Sequence, residues 1–520
     1  MNGLVQAQYI KQKEREKGMN TLLNGMKQAQ NYTLTENGGI THKTTNSDLL
    51  DMFALGAAMR NRSDEDVITM FSKAYAENPE LAMKMLFYIR DIRGGQGERR
   101  FFRVVIKWMA NDKAHRESIR KNIENIAEYG RWDDLYALCD TPLEKDMFAF
   151  MKQQLALDLE CKTPSLLAKW MKSENASSPE TKRLAGKTRA AMGMNHKEYR
   201  KMLSIMRARI NVLEVLMSAN RWDEIEFDKI PSKAGLIYKN AFARRDMIKA
   251  KYEAFAKDET KKVNAATLYP YEVVEKAINL MGGYYAWHRN GVALDNVDRL
   301  MINKYWDNLT DYFNGAKLDA LCMIDTSGSM SGTPINVATA LGMYCAERNQ
   351  GPWHNHYISF SSCPQLIEVA GADFCDKVQR IVATNLCENT NIEAAFDMVL
   401  NTAVRTGATL PEYMIVISDM EFDSATGNGW RRNGRMCTAN AETVMETIEH
   451  KFNAAGYRMP KLIYWNVDAR QNNIPMIGNH YVSYVSGFSP SIFTSILTGK
   501  TGWDLMMDAI GGERYACIHA

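Results

Sequence analysis

Nowhere in this chain does an apolar run approach the roughly 18–20 residues that a bilayer-spanning helix needs. The stretch Met1 to Lys17 is polar and charged and holds no apolar core of a secretory signal. These absences point to an intracellular, cytoplasmic protein with no membrane partner. Cysteine is scarce: nine among 520 residues, an odd number with no C-x-x-C pair. That argues against a zinc ribbon and against a disulfide framework. Cys363, Cys375 and Cys387 are evenly spaced and read as buried or half-buried free thiols. Catalytic signatures are missing as well. The nine histidines form no H-E-x-x-H pair, no Walker loop occurs, and Ser327 and Ser329 lie in no G-x-S-x-G elbow. A non-enzymatic protein is expected.

What is present is an ordinary globular composition, 46% hydrophobic and 24% charged. The 520 residues are too many for one compact core, so two or three domains are expected. The net charge of +3 hides an asymmetry. From residue 317 onward there are 14 Lys+Arg against 20 Asp+Glu, a net of −6. The preceding residues hold the other 50 basic and 41 acidic side chains, a net of +9. Lys162–Arg209 alone holds twelve Lys/Arg and three acids. A basic half joined to an acidic half suggests a polyanion-binding surface in the first.

Residues 1–45 are polar and rich in Asn, Gln, Thr and Gly, with one possible helix near Val5–Met26; they read as a flexible or loosely docked arm. Residues 46–316 read as helix after helix. Ser63 with Asp66 makes a capping box, Pro79 opens the next helix, and Leu81, Met85, Leu86 and Ile89 share one face. Gly94-Gly95-x-Gly97 breaks that helix before another near Glu98–Met109. Gly130-Arg131-Trp132-Asp133-Asp134-Leu135 is echoed by Asn220-Arg221-Trp222-Asp223-Glu224-Ile225, each closing a long helical pattern, Glu117–Tyr129 and Lys197–Ser218. Repeated helical units that bury faces against their neighbours build an α-helical repeat, HEAT-like domain.

Residues 317–520 change grammar. Apolar strands (Leu318–Ile324, His356–Phe360, Tyr413–Ser418, Lys461–Trp465, His480–Val485) alternate with helical patterns (Ile335–Asn349, Phe374–Val382, Ile392–Thr406, Ala441–Ala455, Ser489–Thr498). Such alternation means a doubly wound, Rossmann-like α/β sheet, mostly parallel, with ligands beyond the carboxyl ends of its strands. Asp325, Ser327 and Ser329 directly follow the first strand, Asp419 directly follows the third, and Thr390 precedes a helix. All five offer only oxygen, the donor that Mg²⁺ or Mn²⁺ prefers. Capping Ser, Thr and Asp at strand ends would give the same residues a purely structural role. Glu421 and Asp423 read either as further acceptors or as solvated loop charges.

Asp325-Thr326-Ser327-Gly328-Ser329, Thr390 in Asn389-Thr390-Asn391-Ile392, and Asp419 in Ser418-Asp419-Met420 together resemble the metal-ion-dependent adhesion site (MIDAS) of a von Willebrand factor A domain. The resemblance implies that these five residues hold Mg²⁺, directly or through water, and leave a position open to a partner's acidic group. The chain departs from better-known A domains at Asp419-Met420-Glu421, where Asp-Gly is usual. The helical half followed by this domain resembles the Ro ribonucleoprotein (TROVE) group. The residues carrying that likeness are Arg90-Asp91-Ile92-Arg93-Gly94-Gly95-x-Gly97-Glu98-Arg99-Arg100, the two Arg-Trp-Asp units and Tyr199-Arg200. Ile417-Ser418-Asp419-Met420-Glu421-Phe422-Asp423 is similar to an uncharacterised Ro-like family of bacteria, viruses and plants. These likenesses imply binding of non-coding or misfolded RNA by a ring of helices that an A domain closes.

Arg93, Arg99, Arg100 and Arg103 surround a glycine turn that opens a helix, which suits phosphate. The same arginines could instead clamp helices through Asp91, Glu98 or Asp133. In Lys162–Arg209 the basic residues mix with Trp170 and Tyr199, fitting either RNA with stacked bases or a solvated helix face over a buried Trp170. Trp132 and Trp222 fit inter-repeat packing. The best phosphate contacts are Arg93, Arg99, Arg100, Lys169, Lys172, Arg200 and Arg207. The expected function is RNA binding; the alternative is an adaptor that captures a partner protein's carboxylate at the metal.

Overall fold

The computed structural model describes residues 30–283, 294–360, 362–384, 389–425, 442–477 and 481–520, and the backbone of 431–432 and 435–436. The helix expected near Val5–Met26, Cys387 and His480 lie outside these residues.

Helix starts in the first half follow local chemistry. Ser63 accepts from the Asp66 amide to cap Asp64–Glu77, Asn78 caps Pro79–Arg90, and Glu98 caps Arg99–Asn111. Each side-chain oxygen meets an amide that has no partner within its helix. Two patterns expected as single helices are divided. Glu117–Tyr129 breaks at Asn122 into Arg116–Lys121 and Ile123–Tyr129. Lys197–Ser218 breaks into His196–Arg209 and Leu213–Ser218 around Asn211, whose φ of 48° is left-handed. Asparagine tolerates that conformation because its side chain can hydrogen-bond locally.

Ahead of the helices, β1 (Tyr32–Leu34) and β2 (Ile40–His42) form an antiparallel hairpin. It is tied to the second half through a two-way exchange between the His42 and Ile474 backbones, at 3.0 and 2.9 Å. The described part of the expected arm is therefore a docked hairpin and not a loose tail.

The second half is built on a six-stranded sheet. Its strands are β3 (Ala320–Asp325), β4 (His356–Phe360), β5 (Gln365–Glu368), β6 (Tyr413–Ser418), β7 (Lys461–Asn466) and β8 (Val482–Ser486). The order is β8-β7-β6-β3-β4-β5, parallel except for β5, which runs against β4 at the edge. Every residue of β3 and β6 is buried, as parallel strands covered on both faces require. The chain leaves β3 toward β4 on one side and returns on the other side at β6, so the winding reverses between β3 and β6. Features not foreseen include the edge strand β5, a short antiparallel pair at Arg431–Arg432 and Arg435–Met436, and a helix at Gly502–Ile510. The pattern Ser489–Thr498 is a short turn at Pro490–Ile492 running into Phe493–Ile496.

The two halves share one hydrophobic core. Helix Thr333–Arg348 lies across β3, β4 and β6, while Asp48–Leu55 from the first half packs on β7 and β8. Helices Pro270–Leu280 and Asn296–Asp307, at the far end of the helical region, pack on Thr333–Arg348 and Phe374–Thr384. The helical region thus touches the α/β part at both ends, and its ends also meet. Gly97, at φ 65°, sits so close to Tyr269 that a Cβ there would fall 1.8 Å from the phenol oxygen. Only glycine fits.

Candidate metal centre and basic cavity

Asp325 ends β3, and Asp419 follows β6 on the neighbouring strand; both carboxylates are buried. They stand at the winding reversal, where open α/β sheets bind ligands. The turn after Asp325 is held by its own carboxylate: the Ser327 amide donates to Asp325 Oδ1 at 2.9 Å, and Ser418 Oγ donates to Oδ2 at 2.6 Å. Ser327 Oγ and Ser329 Oγ are 3.0 Å apart. Thr390, also buried, is joined to the third loop through its carbonyl, which accepts from the Asp423 amide at 3.0 Å. Four of the five oxygen-bearing residues are buried, and Ser329 is half-buried at the rim.

Met420 answers the departure from Asp-Gly. It adopts φ 64°, the left-handed turn that glycine would take, with its side chain buried at 2% exposure. The loop keeps the glycine-type conformation, and methionine fills space below it.

The hairpin tip covers this site. Asn37 Nδ2 donates to Thr390 Oγ1 at 3.2 Å and to the Glu421 carbonyl at 2.5 Å. The Glu36 amide donates to Glu421 Oε2 at 2.6 Å, and Thr35 Oγ1 donates to the Phe422 carbonyl at 2.6 Å. Arg470 bridges two carboxylates, donating to Asp419 Oδ2 at 2.5 Å and to Glu36 Oε2 at 2.8 Å. None of Glu36, Asn37 or Arg470 is marked by a motif, and sequence reasoning missed all three.

Electrostatically the pocket is short of positive charge. Burial first, and then the Asp419 charge, push Asp325 up to about 7. Burial likewise pushes Glu421 up to about 7, with Asp419 and Glu36 adding repulsion. Glu421 is fully buried, and its Oε1 has no hydrogen-bond partner. Glu421 is therefore no solvated loop charge. Among the described residues no group of three or more His, Cys, Asp or Glu is arranged to hold a metal ion. The donor set is instead two carboxylates with hydroxyls, all oxygen and negatively charged in a dry place, which fits a hard divalent cation.

The helical half encloses a cavity of about 1400 Å³. Arg93, Arg99, Arg100 and Lys169 line it, with Trp132 and Trp170. Nine Lys/Arg and three Glu line it; Arg60, Arg90, Arg93, Arg100, Lys229 and Lys233 are each paired with a carboxylate, while Arg99, Arg131 and Lys169 form no ion pair among the described residues. Burial, together with the charges of Arg90 and Arg99, holds Arg131 below its ordinary range. Its guanidinium lies 5.1 Å from the Trp170 ring centre. Arg60, Arg131, Lys229 and Lys233 also line the cavity. Of these only Arg131 carried a sequence signal, as part of the repeated Arg-Trp-Asp unit.

The other expected phosphate contacts are placed elsewhere. Arg207 is a clamp: its three nitrogens donate to the Ala168 carbonyl, Ser173 Oγ and the Met171 carbonyl at 2.8–2.9 Å. Lys172 is paired with Asp133, beside Arg103, which binds Asp133 and Asp134 at 2.6 Å each. Arg200 is exposed on helix His196–Arg209, outside the cavity. Much of the charge in Lys162–Arg209 is spent internally, for Arg183 and Lys187 hold Asp140 and Arg189 holds Glu174. Tyr199 is fully buried, with its hydroxyl on the Lys172 carbonyl at 2.7 Å.

The two Trp-Asp units share a 3₁₀ turn but not surroundings. Trp222 is buried, with Arg245 over its ring at 4.7 Å. Trp132 stacks on Phe150 at 5.5 Å and faces the cavity. Asp134 is buried between Arg90 and Arg103, whereas Glu224 pairs with Arg221 on the surface.

The family model described as "Domain of unknown function (DUF2828)" matches residues 35–190 and 162–314, more than half of the chain. The chain belongs to the DUF2828 family. A second model, "Domain of unknown function (DUF7788)", matches residues 319–509, the α/β part of this DUF2828 chain. The uncharacterized protein L728 of Acanthamoeba polyphaga mimivirus is 29% identical, over 90% of this chain and 85% of its own. Among solved structures, the RO (RSR) protein of Deinococcus radiodurans aligns at 12% identity and a TM-score of 0.39, over 89% of this chain and 93% of that one. Among the described residues, no helix of the DUF2828 chain is long and apolar enough to cross a membrane.

Proposed function

We propose that this chain is a non-enzymatic, cytoplasmic RNA-binding protein of Ro-like type. Its HEAT-like helical half takes non-coding or misfolded RNA, as structured elements or single-stranded ends, into the basic cavity. Its second half is a von Willebrand factor A-type domain with a Mg²⁺ or Mn²⁺ site. The observation that carries the RNA reading is the cavity itself, where guanidinium and ammonium groups stand beside two half-buried tryptophans. Phosphates supply affinity to such a wall, and unpaired bases stack on the rings.

Asp325, Ser327, Ser329, Thr390 and Asp419 would hold the cation, and the ion would offer a coordination position to an acidic group. Ser418 and the Ser327 amide hold the Asp325 carboxylate in one orientation, each donating to one of its oxygens. A second reading, a metal-dependent adaptor for a partner protein's carboxylate, gains from the internal pairing of the basic stretch. Filter binding of a generic single-stranded RNA over a salt series separates the two. Affinity that falls steeply with salt and survives Asp325→Ala supports the RNA platform. No RNA binding, with a metal-dependent protein partner, supports the adaptor.

A further inference from the structure

The hairpin tip and Arg470 occupy the place where the proposed centre would face a ligand. Arg470 is the only cation that joins a candidate metal ligand, Asp419, to a carboxylate from outside the α/β half, Glu36, among the described residues. A metal ion meeting a partner's acidic group would make the same kind of bridge. Asn37 sits on the other side of the opening, on Thr390 Oγ1. The tip is moulded to this spot: Gly39 lies so close to the third loop that a Cβ would fall 2.5 Å from the Phe422 carbonyl oxygen. Two buried polar atoms in the same cluster have no hydrogen-bond partner, Glu421 Oε1 and Arg470 Nε. The arrangement therefore leaves polar groups unsatisfied that a bound ion with its waters could serve.

We propose that Glu36–Asn37 is the chain's own occupant of the ligand position at this centre, with Arg470 as a tethered cation that a divalent metal must displace from Asp419. The proposal rests on the metal reading above. Displacement takes from Glu36 the cation that holds it and frees the hairpin tip to lift away, so the site passes from a guanidinium bridge to an open metal position.

The test is Mn²⁺ titration by calorimetry on the full chain, for wild type, Arg470→Gln and Glu36→Gln, with hydrogen exchange followed at residues 30–45. Arg470→Gln should tighten Mn²⁺ binding by about ten- to hundredfold, the worth of one charge-assisted hydrogen bond. Glu36→Gln, which removes only the outer anchor and leaves the Asp419 pair intact, should tighten it less. Mn²⁺ added to wild type should speed exchange at the Glu36 amide, which donates to Glu421. Equal Mn²⁺ affinity in all three proteins, with unchanged exchange, overturns the proposal and leaves the metal reading standing. No Mn²⁺ binding by any of them overturns both.

Discussion

Asp91 and Arg514 lie 423 residues apart in sequence and form a two-pronged ion pair, with the NH2–Oδ1 arm at 2.7 Å. Asp91 is fully buried and also accepts from Tyr515 Oη at 2.9 Å. It belongs to the Arg-Asp-Ile-Arg-Gly-Gly stretch, where it reads as one candidate acceptor for a neighbouring arginine, and its carboxylate instead binds the end of the α/β half. Asp91→Ala leaves Tyr515 and the exposed Arg514 without their acceptor and should cost about 2 kcal/mol, less than for a fully buried pair because water reaches the guanidinium. Chemical denaturation of the full chain measures it; a loss under 1 kcal/mol would show that the pair is merely incidental.

Asp325→Ala should abolish the heat of Mn²⁺ binding and any thermal protection by the metal. RNA affinity should stay within about twofold, because the cavity lies in the other half of the chain. Calorimetry and filter binding on the same preparation check both arms.

Arg99→Ala and Lys169→Ala should weaken RNA binding across sequences, and each should lower the salt slope by about one. Arg207→Ala should behave differently. It leaves two backbone carbonyls and Ser173 without their donor, so it should lower stability by about 2 kcal/mol with little change in slope. Comparing melting temperatures with binding isotherms separates the two classes of arginine.

His42 is buried at 1% exposure, and neither ring nitrogen has a hydrogen-bond partner. Burial lowers its pKa to about 4. The folded state therefore keeps it neutral while the unfolded chain takes a proton. Its contribution is complete above the unfolded value of about 6.5 and is lost as pH falls toward 4. The loss should be on the order of 3 kcal/mol and should be read first as faster hydrogen exchange in β1 and β2. His42→Phe should flatten that pH dependence.

At Met420 the backbone conformation and the buried side chain pull in opposite directions. Both Met420→Ala and Met420→Gly lose the buried thioether chain, but alanine keeps the cost of φ 64° and glycine does not. Met420→Gly should therefore be more stable than Met420→Ala by about 1 kcal/mol, although it is the smaller residue. Equilibrium unfolding of the pair decides it.

What could be read in advance follows from how far each signal travels along the chain. The metal-type residues were legible because each directly follows an apolar strand or opens a helix, so local pattern places it at the sheet edge. Strand β5 was missed because Gln365–Glu368 is only four residues long, too short for a strand period to show. Arg470, Glu36 and Asn37 carry no local mark; only tertiary folding brings them to Asp419 and Thr390. The basic run Lys162–Arg209 misled for a related reason. A count of charges cannot see that Asp133, Asp140 and Glu174 neutralise many of them. Of the seven expected phosphate contacts, the four that reach the cavity flank the glycine turn or adjoin Trp170.

The interleaving of the halves has a practical consequence for dissecting this protein. Cutting before β3 would strip Asp48–Leu55 from the sheet it covers and tear Asp91 from Arg514. Each fragment would present a raw apolar face and a stranded charge. Separately expressed pieces should precipitate, or recover solubility only when produced together, so biochemistry on isolated halves would report on damaged goods.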